Sequence, residues 1–267
     1  MALMMGFLGA MALDILADAP GPALLIGTVV ITTAAYEFFD MCRKRGMAPL
    51  VVPGSVAAAL AFNLPWLTSR YPGVNDQSAL LAALVIVAFV GMVCRGSRPN
   101  ALTDIAVTIF GAVYIGLLGG YLVHIHLLDE GARLVVYFVV VAKVSDIGGY
   151  LAGKLAGKHK LAPTISPNKT IEGSLGGLAL SVVAAFAMSF LLPKPFPAGW
   201  KVLFAVLVSI AAQFGDLCES IIKRSCGVKD SAVFLPKVCG AFDLIDSVLI
   251  SAPVGFYLIA AVMQAKG

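Results

Sequence analysis

The chain contains the stretch Trp200-Lys-Val-Leu-Phe-Ala-Val-Leu-Val-Ser-Ile-Ala-Ala-Gln-Phe-Gly-Asp-Leu-Cys-Glu-Ser-Ile-Ile222, in which a long apolar run ends in two acids. About 20 mainly apolar residues suffice for a helix to cross the hydrocarbon core of a bilayer. A carboxylate inside such a helix costs about 2.5 to 3.5 kcal/mol on insertion scales, so acids there usually have a function. The stretch therefore predicts a membrane helix with a functional site near Asp216 and Glu219.

Composition places the whole chain in the same class. Of the 267 residues, 60% are hydrophobic and 13% are charged, and the mean hydropathy is +0.94. Soluble domains have about 45 to 50% apolar and about 25% charged residues. Lys and Arg outnumber Asp and Glu by 19 to 15, but they stand in small groups between apolar runs, as in the loops of membrane proteins. We therefore expect an all-α, polytopic protein that is integral to the cytoplasmic (inner) membrane. Its partner is then the lipid bilayer, and we do not expect it to bind nucleic acid.

The number of apolar runs predicts about nine transmembrane helices. The runs cover residues 2–17, 20–39, 47–67, 78–94, 101–126, 132–152, 174–192, 200–222 and 242–264. Five of them fall in an N-terminal part, residues 1–130. The other four fall in a C-terminal part, residues 131–267, which we expect to be catalytic, with cytoplasmic loops at 153–173 and 223–241.

The basic residues predict the orientation, because Lys and Arg accumulate in cytoplasmic loops. Alternate connections place thirteen of them on one side: Arg43, Lys44, Arg45, Arg95, Arg98, Lys154, Lys158, Lys160, Lys169, Lys223, Arg224, Lys229 and Lys237. The other side has five: Arg70, Arg133, Lys194, Lys201 and Lys266. The sequence therefore predicts a cytoplasmic N-terminus and an external C-terminus.

This orientation brings the acids of several runs to one depth, near the cytoplasmic face. Asp146, Asp216 and Glu219 lie near the cytoplasmic ends of the sixth and eighth runs, and Asp243 and Asp246 begin the ninth. Asp216/Glu219 and Asp243/Asp246 have i,i+3 spacing, which puts two side chains on one helix face. We therefore expect each pair to point into one cavity that faces the cytoplasm.

Carboxylates that gather in one place are protonated, paired with Lys or Arg, or bound to a cation. Oxygen ligands without His or Cys suit Mg²⁺, Ca²⁺ or Mn²⁺ rather than zinc. An alternative stays open, in which these acids form interhelical ion pairs with Lys143, Lys223 and Arg224.

The predicted loop at 153–173 has the donors of a polyphosphate site. Thr170 or Ser174 can cap the seventh helix, whose N-terminus favours an anion. Cationic and hydroxyl donors surround this position: Lys154, Lys158, Lys160, Ser166 and Lys169. The ordinary alternative is that the lysines are the positive charges of any cytoplasmic loop. Glycines at spacing four just before the loop predict a face of close helix packing: Gly149, Gly153 and Gly157.

Four motifs between residues 143 and 255 resemble the phosphatidate cytidylyltransferase (CDP-diacylglycerol synthase) family. They are Ser145-Asp-Ile-Gly-Gly-Tyr150, Gly153-Lys-Leu-Ala-Gly-Lys158, Ile165-Ser-Pro-Asn-Lys-Thr-Ile-Glu-Gly173 and Gly215-Asp-Leu-Cys-Glu-Ser-Ile-Ile-Lys-Arg-Ser-Cys-Gly-Val-Lys-Asp-Ser231. Tyr36-Glu37 resembles a feature in the N-terminal part of that family. The signature is long, and its parts occur in the family's order.

The resemblance implies a homodimeric enzyme of phospholipid synthesis that makes CDP-diacylglycerol and pyrophosphate from CTP and phosphatidic acid. It implies Mg²⁺ as the cofactor and leaves open whether a second cation binds. It implies metal ligands at Asp216 and Asp243, with Asp246 close by. The residues expected to act in catalysis are Asp216, Lys223, Arg224, Lys229, Asp230, Asp243 and Asp246. The residues expected to bind the nucleotide and phosphates are Asp146, Lys158, Ser166, Asn168, Lys169, Thr170, Glu172 and Lys237.

Two segments depart from the family pattern. Pro236-Lys-Val-Cys-Gly240 stands where the family usually has Pro-Gly-His-Gly-Gly, and Asp243-Leu-Ile-Asp246 stands where it usually has Asp-Arg-hydrophobic-Asp. Lys237 is the cation within the altered loop, so we predict that it meets the leaving pyrophosphate. The missing His and Arg motivate one alternative, an inactive family member that acts as a membrane scaffold. Another is a secondary transporter, although transporters usually place such charges at the midplane of the membrane.

Overall fold

The structure is a computed structural model, and it describes residues 9, 11, 14, 21–71, 77–193, 196–231 and 240–264. These residues are almost entirely helical, as the composition predicts. The helices are α1 (Gly21–Lys44), α2 (Val51–Arg70), α3 (Gln77–Cys94), α4 (Ala101–Gly111), α5 (Leu118–His126), α6 (Gly131–Ala156), α7 (Ile171–Ala187), α8 (Ala198–Ser225) and α9 (Ala241–Gln264). A π-helical turn, Ala112–Leu117, joins α4 to α5.

Six helical spans in the described residues are long and apolar enough to cross a membrane. They are α1, α2, Ala101–His126, α6, α8 and α9. Two shorter apolar helices, Ser78–Cys94 and Ile171–Ala187, correspond to the predicted runs 78–94 and 174–192. These spans confirm an all-α integral membrane protein. The first predicted run, 2–17, lies almost wholly outside the described residues, so nine helices and the predicted orientation stay predictions.

The chain folds into two compact units. The first includes Gly21–His124 and Lys223–Ile245, and the second includes Ile125–Ile222 and the chain from Asp246 onward. The first unit contains an aromatic cluster of Phe38, Phe39, Phe110, Tyr114 and Phe242. In the second unit, Trp200 stacks between Phe196 and Phe204, with ring centroids 4.5 and 4.9 Å apart.

The predicted loop 153–173 contains regular structure that the sequence pattern did not predict. Helix α6 continues to Ala156, and the following residues form an antiparallel hairpin of β1 (Lys160–Ala162) and β2 (Ser166–Thr170). Thr170 ends β2 and caps α7, because its Oγ1 accepts a hydrogen bond of 3.1 Å from the Gly173 amide. The cap predicted at Thr170 or Ser174 is therefore confirmed at Thr170.

Small residues let α6 and α7 pack closely in the second unit. A Cβ atom at Gly148 would lie 2.8 Å from the Gly176 carbonyl oxygen, and one at Gly173 would lie 2.7 Å from the Gly149 carbonyl oxygen. A Cβ atom at Gly153 would lie 3.6 Å from the Gly173 Cα. The predicted close-packing face is therefore confirmed for Gly149 and Gly153, which bring the end of α6 against the start of α7, whereas Gly157 follows α6 and faces the Thr170 side chain.

Candidate active site

A cavity of about 470 Å³ lies in the second unit, where α6, α7, α8 and strand β2 meet. Six of the residues predicted for catalysis or nucleotide binding line it: Asp146, Ser166, Asn168, Lys169, Thr170 and Asp216. The predicted donor Lys154 lines it as well. Residues that lay far apart in the sequence therefore share one cavity, and it has both cationic and anionic groups on its wall.

Lys169 and Asp216 form an ion pair on the wall of this cavity. The distance from Lys169 Nζ to Asp216 Oδ2 is 2.8 Å, and both side chains are about a quarter exposed. Lys169 comes from β2, which holds it beside the N-terminus of α7, and Asp216 comes from α8. A cation and a carboxylate that are this close and still in reach of water can both exchange their partner for a ligand.

Lys143 lies between two further acids of the same unit. Its Nζ is 3.3 Å from Asp246 Oδ1 and 3.6 Å from Asp146 Oδ2. It also donates a hydrogen bond of 2.8 Å to Ser247 Oγ, which donates one of 3.1 Å to Asp146 Oδ2. The ammonium thus neutralises carboxylates on α6 and α9 at once, as the ion-pair interpretation of the acids predicts.

The first unit contains a separate ion pair at the start of α9. Lys223 Nζ lies 3.2 Å from Asp243 Oδ1, and both side chains are mostly buried. Three other predicted residues, Arg224, Lys229 and Asp230, are exposed at the end of α8 and just beyond it. Lys237 lies outside the described residues. The structure thus brings Lys223 and Asp243 together and leaves Arg224, Lys229 and Asp230 at the surface.

Lys158 and Glu172 are arranged differently from the other predicted binding residues. Among the described residues, the cavity lining includes neither of them. The Glu172 carboxylate accepts hydrogen bonds from the backbone amides of Lys158 and His159, and the His159 ring Nδ1 lies 2.6 Å from Glu172 Oε1. The hydrogen bond with the His159 ring, aided by the backbone amides, lowers the pKa of Glu172 to about 2. Glu172 therefore joins the start of α7 to the residues that lead into β1.

A polar network that reaches the wall of the cavity was not predicted as part of the site. Ser145 Oγ and Ser209 Oγ lie 2.6 Å apart and are fully buried. Gln213 donates to Ser145 Oγ at 3.3 Å and to the Ser174 carbonyl oxygen at 3.2 Å. Its side-chain oxygen also accepts from the Ser174 hydroxyl. The network joins α6, α7 and α8 one turn before Asp216, and the only sequence signal for it is a Gln within the apolar run 200–222.

Comparison with known proteins assigns the chain to a family. Residues 2–262 match the model of the cytidylyltransferase family. The chain belongs to the cytidylyltransferase family. Curated relatives named phosphatidate cytidylyltransferase include those of Bacillus subtilis (strain 168), at 32% identity over 89% of this chain and 91% of the relative, and Staphylococcus haemolyticus (strain JCSC1435), at 33% over 87% and 90%. The relative from Staphylococcus aureus (strain COL) is 34% identical over 86% of each chain.

The acids of this cytidylyltransferase chain are the type of ligand that a divalent cation prefers, but the described ones do not form a complete ligand set by themselves. In the described part of the chain, no three His, Cys, Asp or Glu side chains converge closely enough to hold a metal ion. Asp146 Oδ1 is nevertheless buried without a hydrogen bond from any described group, and an oxygen-only set of acids suits a hard cation. Mg²⁺ is usually bound by one or two protein carboxylates together with substrate phosphates. The acids of the second unit can supply one or two such carboxylates.

Proposed function

We propose that this protein transfers the cytidylyl group of CTP to phosphatidic acid, which gives CDP-diacylglycerol and pyrophosphate for phospholipid synthesis. A phosphate oxygen of the lipid attacks the α-phosphorus of CTP, and the bond from that phosphorus to the β-phosphate oxygen breaks. Membership of the cytidylyltransferase family and the names of the curated relatives support this reaction. They give no support to the scaffold or transporter alternative.

The observation that carries the proposal is the Lys169–Asp216 pair on the wall of the cavity. A phosphate monoester is already ionised near pH 7, so the reaction needs no strong general base. The barrier lies in bringing two anions together and in neutralising the pyrophosphate that leaves, so fixed positive charges should dominate catalysis. Lys169 supplies such a charge, and Ser166, Asn168 and Thr170 line the same cavity as hydrogen-bonding groups.

We infer that Mg²⁺ is the cofactor, and we leave a second cation open. When bound, the metal would neutralise phosphate oxygens and orient them for the transfer. Asp216 and Asp246 of the second unit are the ligands that we propose, because both belong to its group of acids. Asp243 precedes Asp246 by one turn of α9 and remains the third ligand that the sequence predicts.

The other predicted residues have supporting roles in this proposal. Lys223, Arg224 and Lys229 would meet phosphates that enter from the aqueous side, and Lys237 would meet the pyrophosphate that leaves. The Asp230 carboxylate, next to Lys229 in the sequence, would contact the nucleotide away from its phosphates. Asp146 and Lys158 would tune the charge around the nucleotide, and Glu172 would hold the hairpin in place. The protein would form a homodimer, and its active site would face the cytoplasm. Each chain would have nine membrane helices, a cytoplasmic N-terminus and an external C-terminus.

One assay tests the reaction. Purified protein in detergent receives CTP labelled at the α-phosphorus, phosphatidic acid and Mg²⁺, and the lipid phase is analysed for labelled CDP-diacylglycerol. We expect a labelled lipid and equimolar pyrophosphate, and we expect both to disappear when the divalent cation is chelated. A wild-type protein that labels no lipid phosphate under these conditions contradicts the proposal and favours the scaffold.

A further inference from the structure

Glu37 is a buried acid of the first unit that the proposed reaction does not use. It lies in the apolar helix α1, and only 3% of its surface is exposed. A buried carboxylate is strongly unfavourable unless hydrogen bonds or charges compensate it. The partners of Glu37 therefore indicate why the chain places an acid at this position.

The partners of Glu37 come from the far end of the sequence. Its Oε2 accepts a hydrogen bond of 2.9 Å from the Phe242 amide, 205 positions away, and one of 3.4 Å from the Ser231 hydroxyl. Phe242 is the second residue of α9. The first amides of any helix have no acceptor within the helix, so Glu37 supplies one from another part of the chain.

Helix α9 has no side chain of its own for this purpose. The Leu244 amide donates to the Gly240 carbonyl oxygen at 3.1 Å, which places Gly240 at the N-cap position. Glycine has no side chain that could accept a hydrogen bond. The Glu37 carboxylate takes over the role of the cap, and its negative charge also suits the positive end of the helix dipole.

The residue next to Glu37 adds an apolar contact to the same turn. The Phe38 ring lies 6.0 Å from that of Phe242, which is fully buried. Two consecutive residues of α1 thus hold one residue of α9, by its amide and by its ring. Asp243 follows Phe242 directly, and its carboxylate contacts Lys223 at 3.2 Å.

We propose that Glu37 is a positioning residue of the cytidylyltransferase reaction. Its carboxylate caps α9 from α1 and thereby fixes Asp243, which follows the capped residue directly. This role rests on the proposed function, in which the acids of α9 serve the reaction. Glu37 itself touches neither substrate nor metal, so it should affect turnover and metal dependence more than nucleotide affinity.

The test compares Glu37→Leu, which removes the acceptor, with Glu37→Gln, which keeps an acceptor oxygen and removes the charge. Asp104→Leu is a matched control, because Asp104 is equally buried in the first unit and its Oδ1 accepts a hydrogen bond of 2.7 Å from the Ala48 amide, away from α9. The assays measure kcat, the KM for CTP, the Mg²⁺ concentration for half-maximal rate, and hydrogen–deuterium exchange of residues 241–250.

Displacement of a catalytic group by about 1 Å lowers a rate about a hundredfold, so we expect a loss of that order in kcat for Glu37→Leu. We expect the KM for CTP to stay within about threefold, the Mg²⁺ requirement to rise, and exchange in residues 241–250 to quicken. A neutral hydrogen bond has roughly half the strength of a charged one, so Glu37→Gln should fall between Glu37→Leu and the wild type. Asp104→Leu should unfold at a lower temperature with nearly wild-type kcat.

Three results would overturn the role of Glu37: a kcat in Glu37→Leu within threefold of the wild type, an equal loss in Asp104→Leu, or unchanged exchange in residues 241–250. If Glu37→Leu does not purify, the same measurements on Glu37→Gln decide the question. A wild-type protein that makes no CDP-diacylglycerol overturns the proposed function instead. The exchange experiment still tests the cap in that case, because it needs no activity.

Discussion

The ammonium of Lys143 lies 3.3 Å from the Asp246 carboxylate, although the two residues are 103 positions apart in the sequence. Asp146 shares the same ammonium at 3.6 Å. Burial of carboxylates without a partner is costly, whereas a buried pair with further hydrogen bonds is tolerated. Lys143 therefore allows an acid of α6 and an acid of α9 to remain together before any ligand arrives.

Lys143→Met should destabilise the protein, because it leaves Asp146 and Asp246 without their shared cation. Loss of one partner of a buried pair costs about 3 kcal/mol or more. We expect a lower midpoint of thermal unfolding in detergent without divalent cations. The double variant Lys143→Met/Asp246→Asn should recover much of the loss, because it also removes one of the stranded charges.

A surface ion pair provides the control for Lys143→Met. Arg133 and Glu130 form an ion pair in which both side chains are nearly half exposed, and such pairs contribute about 0 to 1 kcal/mol. Arg133→Met should therefore leave the midpoint almost unchanged. Equal midpoints for Lys143→Met and Arg133→Met would show that the Lys143 contacts do not stabilise the fold.

Asp216→Asn should abolish Mg²⁺-dependent turnover while the protein still inserts and purifies. The substitution keeps the shape of the side chain but removes the charge that pairs with Lys169. Removal of one charge-stabilising contact typically lowers a rate by about a hundredfold or more. Asp129→Asn, at an exposed acid between α5 and α6, should retain the wild-type rate. Near-normal turnover in Asp216→Asn would exclude Asp216 from the metal site.

The apolar runs predicted most of the helices, because the length needed to cross a bilayer is a strong local constraint. The run 132–152, for example, appears as α6 (Gly131–Ala156). The hairpin of β1 and β2 was not predicted, because Ser166-Pro-Asn-Lys-Thr170 lacks the alternation of apolar and polar residues that marks a strand. The π-helical turn at Ala112–Leu117 was also missed, because it does not interrupt the apolar run.

The chemistry of the site was easier to predict than its pairings. The cavity gathers Asp146, Asp216 and Lys169 as expected, but its lining among the described residues does not include Glu219, Asp243 or Asp246. The common depth of the acids in the membrane stays a prediction. The contacts of Lys143 with Asp246 and of Glu37 with Phe242 could not be read from the sequence, because each joins residues more than 100 positions apart. Local spacing determines which residues share a helix face, but not which helix that face meets.

The predicted orientation can be tested by cysteine labelling. In a variant without the five native cysteines, a new cysteine at Asn168 in β2 should react with a membrane-impermeant maleimide only from the cytoplasmic side, because this connection carries four of the basic residues. A cysteine at Asp129, in the turn between α5 and α6, should react only from the outside. Labelling of Asn168→Cys in intact cells would contradict the predicted topology, because the reagent reaches only the outside.

Gly215→Ala should separate α8 from α9, because the second unit has no room for a Cβ atom at this position. Such an atom would lie 2.5 Å from the Asp246 carbonyl oxygen and 3.2 Å from the Ser247 Cα, and both of these are backbone atoms that cannot rotate away. Overpacking of this kind costs about 1 to 3 kcal/mol. We expect a lower unfolding midpoint, and also slower turnover, because Asp216 and Asp246 are next to the contact.

Gly199→Ala, in the same helix, is the matched control for Gly215→Ala. A Cβ atom there would meet nothing within 4 Å, and alanine favours a helix over glycine by about 1 kcal/mol. Gly199→Ala should therefore unfold at the wild-type temperature or slightly above it, with an unchanged rate. If Gly215→Ala matched Gly199→Ala in both measurements, the close approach of α8 and α9 would not be what holds Asp216 and Asp246 in place.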